Sequence, residues 1–277
     1  MRIDAETVLC ATIARPNRAA RSPVMHNAGF EALGLNFVYM AFEPEEAMLA
    51  KAVDGLRALG ARGFSVSQPY KRAVVPLLDE LEATAAEIGA VNTVLNRDGR
   101  LIGYNSDWIG AVQAVEERID PAGRRVCLIG SGGAARAIAF GFRKRGSRVS
   151  LWARDPEKGS ALAAEAGIEY GGNLADLGRE AEDYDIVVNA TPAGMGAQID
   201  TTPLSPASLK PGTVVLDAVF VPRRTRLLRE AAEAGCVCVD GAAMLLYQGL
   251  FQFELFTGEK PPVEAMRAAL YASLDNA

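Results

Sequence analysis

Apolar residues recur along the chain with two spacings, one typical of buried strands and the other of helices. In the N-terminal part, short apolar runs alternate with segments of helical spacing that end at Gly or Pro. This pattern indicates a mixed α/β domain. The predicted strands are Thr7–Ile13, Phe37–Phe42, Gly63–Ser67, Val91–Leu95 and Leu101–Gly103, and the predicted helices are Pro23–Leu33, Ala47–Leu59 and Ala83–Ile88.

After Asp107 the alternation becomes regular. A helix over Trp108–Arg118 precedes a break at residues 120–123, and strands and helical segments then follow one another. Such a series predicts a parallel sheet with helices on both faces. The predicted strands are Arg125–Ile129, Arg148–Trp152, Asp185–Asn189, Val214–Phe220 and Val237–Val239, and the helical tail covers Ala242–Thr257 and Val263–Leu274.

Composition narrows the class of protein. Of 277 residues, 49% are hydrophobic and 23% are charged, which suits a folded chain and not a disordered one. A net charge of −5 and a pI of about 5.2 leave no basic surface for nucleic acid. No apolar run is long enough to predict a membrane span. Because Asp4 and Glu6 lie where an export signal would be apolar, we expect a soluble, cytoplasmic protein.

The scarcity of histidine and lysine limits the kinds of catalytic and metal site that the chain can form. His26 is the only histidine, which argues against a histidine base or a histidine-rich metal site. Cys236 and Cys238 lie in a predicted strand at a spacing that suits neither zinc nor a redox pair, so no metal site is predicted. Lysine occurs 6 times against 23 arginines, so a lysine in a polar motif stands out.

A glycine-rich loop follows the strand Arg125–Ile129. Its sequence, Gly-Ser-Gly-Gly-Ala-Ala, fits the pattern G-x-G-x-x-A ahead of a helix over Ala134–Arg145. The first glycine permits a tight turn, the second lets a pyrophosphate approach the backbone, and the small third residue lets helix and strand pack closely. A tight structural turn is the alternative. The motif predicts a dinucleotide site that includes Gly130, Ser131, Gly132, Gly133 and Ala134.

The end of the next strand indicates which dinucleotide binds. Sites for NAD usually place an acidic residue there to bind the ribose 2′-hydroxyl. Here Arg154 comes first, and a guanidinium suits a 2′-phosphate. Asp155 precedes Pro156 in a pattern typical of a helix N-cap, and Lys158 adds positive charge one turn later. We therefore predict NADP in preference to NAD.

Two polar segments of the N-terminal half contain a lysine and an aspartate. Lys71 ends Ser65–Lys71 (SVSQPYK), and Asp107 ends Asn105–Asp107 (NSD). Reduction of a ketone by hydride requires a proton for the developing alkoxide, which a lysine beside a carboxylate can supply. The alternative interpretation is a surface lysine and an aspartate that caps a helix.

These segments belong to a longer series of motifs. Together the motifs resemble the shikimate/quinate dehydrogenase family, in the family's order and over essentially the whole chain. They are Ser22–Asn27 (SPVMHN), Val66–Lys71 (VSQPYK), Gly89–Thr93 (GAVNT), Asn105–Asp107 (NSD), Gly130–Ala134 (GSGGA), Asn189–Thr191 (NAT) and Gly241–Gln248 (GAAMLLYQ).

The resemblance implies two α/β domains and an oxidoreductase. A substrate domain would comprise residues 1–107 with the C-terminal helices of 242–277, and an NADP-binding Rossmann domain, residues 108–241, would be inserted between them. The implied enzyme is an NADP-dependent shikimate dehydrogenase of aromatic amino acid and chorismate biosynthesis, a monomer or homodimer that converts 3-dehydroshikimate to shikimate. Quinate or an aminoshikimate-type compound is the alternative substrate. A sensor with little activity is an alternative of another class.

The resemblance also assigns roles to residues. Lys71 and Asp107 match the family's catalytic pair, and Arg154 and Lys158 match the positions that hold the adenosine phosphate. His26 is interpreted as a packing residue. The substrate's carboxylate and hydroxyls would be bound by Ser22, Ser67, Asn92 and Gln248, and the nicotinamide side would be formed by Asn189, Ala190, Thr191 and Gly241.

Some positions depart from the family pattern. The usual Ser-x-Ser-Pro is Ala20–Pro23 (ARSP), so one hydroxyl is absent, and a usual tyrosine is Phe220. Ser67 replaces a threonine and keeps the hydroxyl. Each lost hydrogen bond costs about 0.5–1.5 kcal/mol, or more to a charged group. The departures resemble a divergent shikimate dehydrogenase-like branch with weak activity on shikimate, and Arg21 is a candidate for a new carboxylate contact.

Overall fold

A computed structural model describes residues 3–17 and 20–275, without the side chains of 179, 180, 182 and 206. The chain divides into two units. The first unit comprises Met1–Ser106 and Gln248–Ala277, and the second comprises Asp107–Tyr247. Each unit contains its own sheet with helices, which confirms the predicted α/β class with a second domain inserted in the first.

The first unit is built on a mixed sheet. Its strands are β1 (Val8–Ile13), β2 (Phe37–Phe42), β3 (Gly63–Val66), β4 (Glu80–Leu81), β5 (Thr93–Arg97) and β6 (Arg100–Tyr104). They lie in the order β2-β1-β3-β5-β6-β4, with β1 parallel to β2 and β3, and β5 antiparallel to β3 and β6. Because β3 and β5 run in opposite directions, the end of β3 lies beside the start of β5.

Helices cover this sheet and bury its apolar side chains. They are α1 (Ser22–Ala32), α2 (Leu49–Ala58), α3 (Ala83–Ile88), the part of α8 (Gly241–Thr257) from Gln248 onwards, and α9 (Val263–Asp275). Ile13, Phe64 and Val94 of the strands lie in the core with Val53 of α2. Gly29 of α1 permits close helix packing, since a Cβ atom there would lie 2.7 Å from the ring of Phe253.

The second unit has a parallel sheet. Its strands are β7 (Arg125–Ile129), β8 (Arg148–Ala153), β9 (Glu169–Asn173), β10 (Ile186–Asn189), β11 (Val214–Asp217) and β12 (Val237–Val239), and its helices are α4 (Asp107–Glu116), α5 (Gly133–Lys144), α6 (Pro156–Ala166), α7 (Arg226–Glu233) and the start of α8. The strand order is β12-β11-β10-β7-β8-β9, and neighbours run parallel. This is the order of the doubly wound dinucleotide-binding fold, which confirms the predicted Rossmann domain.

Both faces of the parallel sheet are buried. Along β7, Val126 and Leu128 lie in one apolar cluster, whereas Cys127 and Ile129 lie in another. Successive side chains of a strand point to opposite faces, so a sheet covered on both faces requires a continuous apolar run. This is why the sequence shows no polar alternation in β7.

The structure differs from the predicted elements at two strands of the second unit. The strand predicted as Val214–Phe220 ends at Asp217, and β9 was not predicted at all. Gly171 and Gly172 give β9 a weak strand signal. The packing requires Gly171, since a Cβ atom there would lie 2.5 Å from the indole of Trp152.

The division between the units falls close to the predicted domain boundaries but not on them. The sequence places the second boundary between residues 241 and 242, whereas the second unit extends to Tyr247. The first turns of α8 are grouped there because Ala243 and Met244 pack in the second unit's core. The boundaries of the functional domains stay a prediction. Within residues 3–17 and 20–275, none of the helices combines the length and apolar character that crossing a bilayer requires.

Candidate active site

Three predicted site residues lie at the place in the first sheet where β3 ends and the neighbouring β5 begins. They are Ser67, Lys71 and Asn92. The N–H of Val66 donates to the carbonyl of Asn92 (2.8 Å), and the N–H of Val91 donates to the carbonyl of Lys71 (2.8 Å). These bonds tie the loop after β3 to the segment before β5. Ser67 is exposed and Lys71 is half-buried, so both side chains are accessible to a small molecule.

Asn92 is buried, and its side-chain carbonyl accepts several hydrogen bonds. The N–H of Ser106 (2.7 Å), the Ser106 hydroxyl (3.1 Å) and the Thr93 hydroxyl (2.9 Å) all donate to Asn92 Oδ1. Gln252 of α8 donates from Nε2 to Thr93 Oγ1 (3.0 Å) and Ser106 Oγ (3.2 Å). These residues form a buried polar network, which holds Asn92 in one orientation.

His26 occupies a packing position in the first unit. It is fully buried, and its ring stacks on that of Tyr39 with centroids 4.4 Å apart. Burial lowers the pKa of His26 to about 3, and the nearby amide of Gln252 acts in the opposite direction. The amide is not in hydrogen-bond geometry, and neither ring nitrogen has a partner within the described part of the chain. The imidazole is therefore neutral at physiological pH and is not a proton donor.

Ser22 begins α1, and Arg21 is the N-cap residue of that helix. The first turn contains no acidic side chain, and the Arg21 side chain does not cap the helix. Its Nε is buried and has no hydrogen-bond partner among the described residues. A cation at the positive end of a helix dipole is unfavourably placed. The position therefore favours an anionic ligand group, as the carboxylate prediction for Ser22 requires.

Asp107 and Gln248 lie at the two divisions between the units. Asp107 is the first residue of α4 and is 2% exposed, and Gln248 is half-buried within α8. Lys71 belongs to the first unit and Asp107 to the second. Their pairing therefore stays a prediction from the motifs.

The glycine loop of the second unit has the geometry that its sequence predicts. Gly130 has a φ of +120°, and a Cβ atom there would lie 3.0 Å from the carbonyl oxygen of Ala190. Gly132 is the N-cap residue of α5 and Gly133 its first residue; both are exposed, and a Cβ on either would meet nothing within 4 Å. Open space before free helix N–H groups fits a dinucleotide pyrophosphate.

Asp217, at the end of β11, fixes the predicted nicotinamide-side loop. Its buried carboxylate accepts from Thr225 Oγ1 (2.6 Å), Asn189 Nδ2 (3.0 Å) and the N–H of Val219 (3.0 Å). Asn189 Oδ1 in turn accepts from the N–H (3.0 Å) and the hydroxyl (2.7 Å) of Thr191. Asp217 thus orients Asn189, and Asn189 orients Thr191.

The carboxyl group of Asp217 predicts a pH-dependent stability. Burial raises its pKa from 3.8 to about 6, against the opposing effect of its hydrogen bonds. Because the folded pKa exceeds the unfolded one, this contribution to stability is complete below about pH 4 and is lost as pH rises through about 6. The difference between the two pKa values corresponds to about 3 kcal/mol.

Urea unfolding of the wild type and of Asp217→Asn at several pH values tests this expectation. The asparagine keeps the shape of the side chain and does not titrate. We expect the free energy of unfolding of the wild type, minus that of the variant, to fall by about 3 kcal/mol between about pH 4 and pH 7. A difference that rises with pH would show that the carboxylate, and not the carboxylic acid, is the favoured form in the fold.

Arg154 follows β8 directly, with an exposed side chain. The neighbouring Asp155 is the N-cap residue of α6, as predicted: its Oδ1 accepts from the N–H of Lys158 (3.1 Å), and its Oδ2 pairs with Lys158 Nζ (3.0 Å). These bonds from Lys158 hold the pKa of Asp155 below its usual value. Arg154 is therefore the cation at the strand end, while the carboxylate of Asp155 is engaged by its own helix.

Gly241 begins α8 at a close backbone contact. A Cβ atom there would lie 2.6 Å from the carbonyl oxygen of Val219. Packing alone therefore requires glycine at this position. That Gly241 lies beside the cofactor stays a prediction from the family resemblance.

Comparison with known proteins places both units in one family. Residues 12–94 match the family model of the shikimate dehydrogenase substrate binding domain, and residues 241–271 match that of the shikimate 5′-dehydrogenase C-terminal domain. Residues 125–219 match a model described as NADP oxidoreductase, coenzyme F420-dependent. A curated relative, the shikimate dehydrogenase (NADP(+)) of Thermococcus kodakarensis, is 45% identical over 266 residues, which are 96% of this chain and 97% of the relative. The chain belongs to the shikimate dehydrogenase family.

Solved structures of shikimate dehydrogenases match the chain over both units. One, in complex with NADP+, is 38% identical with a TM-score of 0.92 and covers 99% of this chain and 98% of its own. The enzyme of Thermus thermophilus, in complex with NADP(H) and shikimate, is 34% identical with a TM-score of 0.89 and covers 97% of this chain and 100% of its own. The predicted family is confirmed, whereas placement in a divergent branch stays a prediction.

Several residues that organise the site in this shikimate dehydrogenase family member were missed by sequence reasoning. They are Thr93, Ser106 and Gln252 in the first unit and Asp217 in the second. Each of them had a signal in the sequence that carried no assigned role. Thr93 and Ser106 lie within the motifs Gly89–Thr93 and Asn105–Asp107, whereas Asp217 interrupts an apolar run and Gln252 an apolar helix. Several of their partners lie far away along the chain, as Thr93 and Ser106 do for Gln252 and Asn189 does for Asp217, so no local motif reports these contacts.

Proposed function

We propose that the protein is an NADP-dependent shikimate dehydrogenase, which reduces 3-dehydroshikimate to shikimate with NADPH. The observation that carries the proposal is the 45% identity to the Thermococcus kodakarensis enzyme over 96% of this chain. The two units support it separately. The first presents accessible Ser67 and Lys71 beside an oriented Asn92, and the second presents an open glycine loop.

Lys71 is the proposed proton donor. As the carbonyl carbon of 3-dehydroshikimate gains a hydride, negative charge develops on its oxygen, and the ammonium group of Lys71 gives that oxygen a proton. The products are a hydroxyl group and a neutral amine, which regains its proton from solvent. Asp107 is the proposed partner, since a carboxylate nearby favours the ammonium form of a lysine. In the reverse direction Lys71 takes the hydroxyl proton.

The second unit would hold the cofactor, and NADPH supplies the hydride when it is bound. The N–H groups that follow Gly130 would face the pyrophosphate, and Arg154 with Lys158 would face the 2′-phosphate. The loop Asn189–Thr191 would lie on the nicotinamide side. Because Asp155 already caps α6, it is poorly placed to bind a ribose 2′-hydroxyl, which favours NADP over NAD.

The first unit would bind the substrate. Ser22 suits the carboxylate, together with the N-terminus of α1 and the Arg21 guanidinium, whose buried Nε has no hydrogen-bond partner among the described residues. Ser67 and Asn92 would bind hydroxyl groups, and Gln248 would contact the substrate from α8. The family relationship and these side chains together favour shikimate as the substrate, with quinate as the compound to compare.

The missing hydroxyl at Ala20 gives a direct test of the carboxylate site. We expect Ala20→Ser to lower KM for shikimate, because a restored hydrogen bond to a carboxylate is worth at most about 1.5–3 kcal/mol, or roughly 10- to 150-fold. The change should lie mainly in KM, since the contact is similar in the ground and transition states.

Ala28→Ser, on the helix α1 that follows the Ala20 loop, is the matched control and should leave KM unchanged. Steady-state rates with shikimate and with quinate would be measured for all three proteins. An Ala20→Ser variant with unchanged or higher KM for shikimate would mean that this loop is arranged for another ligand.

The activity itself is tested by following NADPH formation with shikimate and with quinate, each with NADP+ and NAD+. The proposal requires turnover of shikimate with NADP+ and a higher kcat/KM for this pair than for the others. Faster oxidation of quinate would reassign the substrate. Binding of NADP+ without turnover of either compound would favour the sensor hypothesis, which the presence of both Lys71 and Asp107 argues against.

The proposal includes the setting of the enzyme. We place it in the cytoplasm, in aromatic amino acid biosynthesis, as a monomer or homodimer. Cell fractionation tests the location, and light scattering of the purified protein distinguishes the two oligomeric states.

A further inference from the structure

Gln252 is a buried polar residue that none of the predicted roles includes. It lies on α8 one turn after Gln248 and is 5% exposed. Its Nε2 donates to Thr93 Oγ1 and Ser106 Oγ, and both of these hydroxyls lie within 3.1 Å of Asn92 Oδ1. The proposed substrate ligand Asn92 is therefore connected to α8 through two hydroxyl groups.

The direction of these hydrogen bonds follows from the donors present. The N–H of Ser106 can only donate, so the Asn92 atom 2.7 Å from it is the carbonyl oxygen and not the amide nitrogen. An amide NH2 group offers two protons and accepts none. Gln252 therefore occupies the acceptor side of both hydroxyls. Because the two hydroxyl oxygens also lie 3.1 Å apart, one hydroxyl can donate to the other, and at least one of their two protons is left for Asn92 Oδ1.

We propose that Gln252 is a positioning residue for substrate binding: it commits Asn92 Oδ1 to the network, so that Asn92 meets a substrate only as an N–H donor. The inference rests on the proposed function, because it concerns how that substrate is recognised. A hydroxyl oxygen is a suitable partner for such a donor. A protonated amine in its place has no lone pair and would be rejected, which makes the network a determinant of specificity.

Two variants of similar size separate donation from packing. Gln252→Met removes both N–H donors, and Gln252→Glu replaces them with a group that only accepts when ionised. In the second variant the hydroxyl protons turn towards the new carboxylate and away from Asn92. We expect KM for shikimate to rise about 3- to 10-fold in Gln252→Met and further in Gln252→Glu, with kcat within about 2-fold and KM for NADP+ unchanged.

Controls distinguish positioning from a loss of stability. Phe253→Leu perturbs the buried core at the next position of α8 and should lower the melting temperature without changing KM. In an Asn92→Ala background, Gln252→Met should raise KM no further, because the residue through which it acts is gone. If the carboxylate of Gln252→Glu prevents folding, Gln252→Met alone decides the question.

A spectroscopic measurement tests the inference without any assay. The side-chain NH2 signals of Asn92 in a ¹⁵N-labelled protein are identified by their loss in Asn92→Ala, and both Gln252 variants should shift them whereas Phe253→Leu should not. Unchanged Asn92 signals with an unchanged KM would overturn the inference, as would an equal effect of Gln252→Met with and without Asn92. If wild-type protein does not turn over shikimate, the proposed function fails, while the Asn92 signals still decide whether Gln252 orients this side chain.

Discussion

Lys71→Ala lowers kcat for shikimate oxidation by at least about 100-fold, if the proposed proton transfer is correct, because general acid–base catalysis contributes roughly 10²- to 10⁴-fold. The affinity for NADP+ changes little, since Lys71 belongs to the first unit and the glycine loop to the second. Single-turnover and steady-state rates, measured at varied shikimate and varied NADP+ concentrations, check the expected fall in kcat and the unchanged affinity for NADP+.

Two further substitutions sharpen this test. Lys71→Arg keeps the positive charge but should be nearly as slow, because a guanidinium holds its proton too tightly to act as an acid or a base near neutral pH. Lys51→Ala removes an exposed lysine of α2 and should leave kcat unchanged. A Lys71→Ala enzyme with near wild-type turnover would remove Lys71 from the mechanism.

For Arg154→Ala we expect NADP+ binding to weaken by about 1.5–3 kcal/mol, or roughly 10- to 150-fold, and NAD+ binding to stay the same. The guanidinium at the end of β8 can make paired hydrogen bonds to a phosphate, which NAD+ lacks at the ribose 2′ position. Fluorescence titration with each cofactor measures the two dissociation constants.

Arg148 offers a matched control at the opposite end of the same strand. It is also exposed, and Arg148→Ala should change neither constant. An equal loss for NADP+ and NAD+ in Arg154→Ala would mean that Arg154 supports the structure of the site. A wild-type preference for NAD+ would point to Asp155 as the ribose ligand, at the cost of its N-cap bond to Lys158.

Local features of the second unit were predictable because their causes lie within a few residues. The tight turn at Gly130 and the N-cap at Asp155 both follow from neighbouring residue types, and the structure confirms both. β9 was not predictable in this way. Its glycines are present because the indole of Trp152 lies against them, and that contact belongs to a different strand.

The end of β11 illustrates the same limit. The run from Val214 to Phe220 is apolar except for Asp217, so strand propensity alone continues past it. In the structure the carboxylate of Asp217 accepts from Thr225 and Asn189, which come from different segments of the chain, and pairing with β10 stops there. An aspartate within an apolar run marks an unusual position in the sequence. Its hydrogen-bond partners, which only the structure shows, explain why the strand ends there.

The sequence by itself determined the α/β class, most of the strands and helices, the dinucleotide loop and the motifs that carry Lys71, Asn92 and Asp107, because periodicity, turn residues and short motifs act over a few positions. Only the tertiary structure decided which side chains hold the site residues in place. Gln252 and Thr93 are separated by most of the chain, yet they share a hydrogen bond of 3.0 Å. Such a contact depends on how helix and sheet pack, and a buried polar group finds its partner across that packing instead of along the sequence.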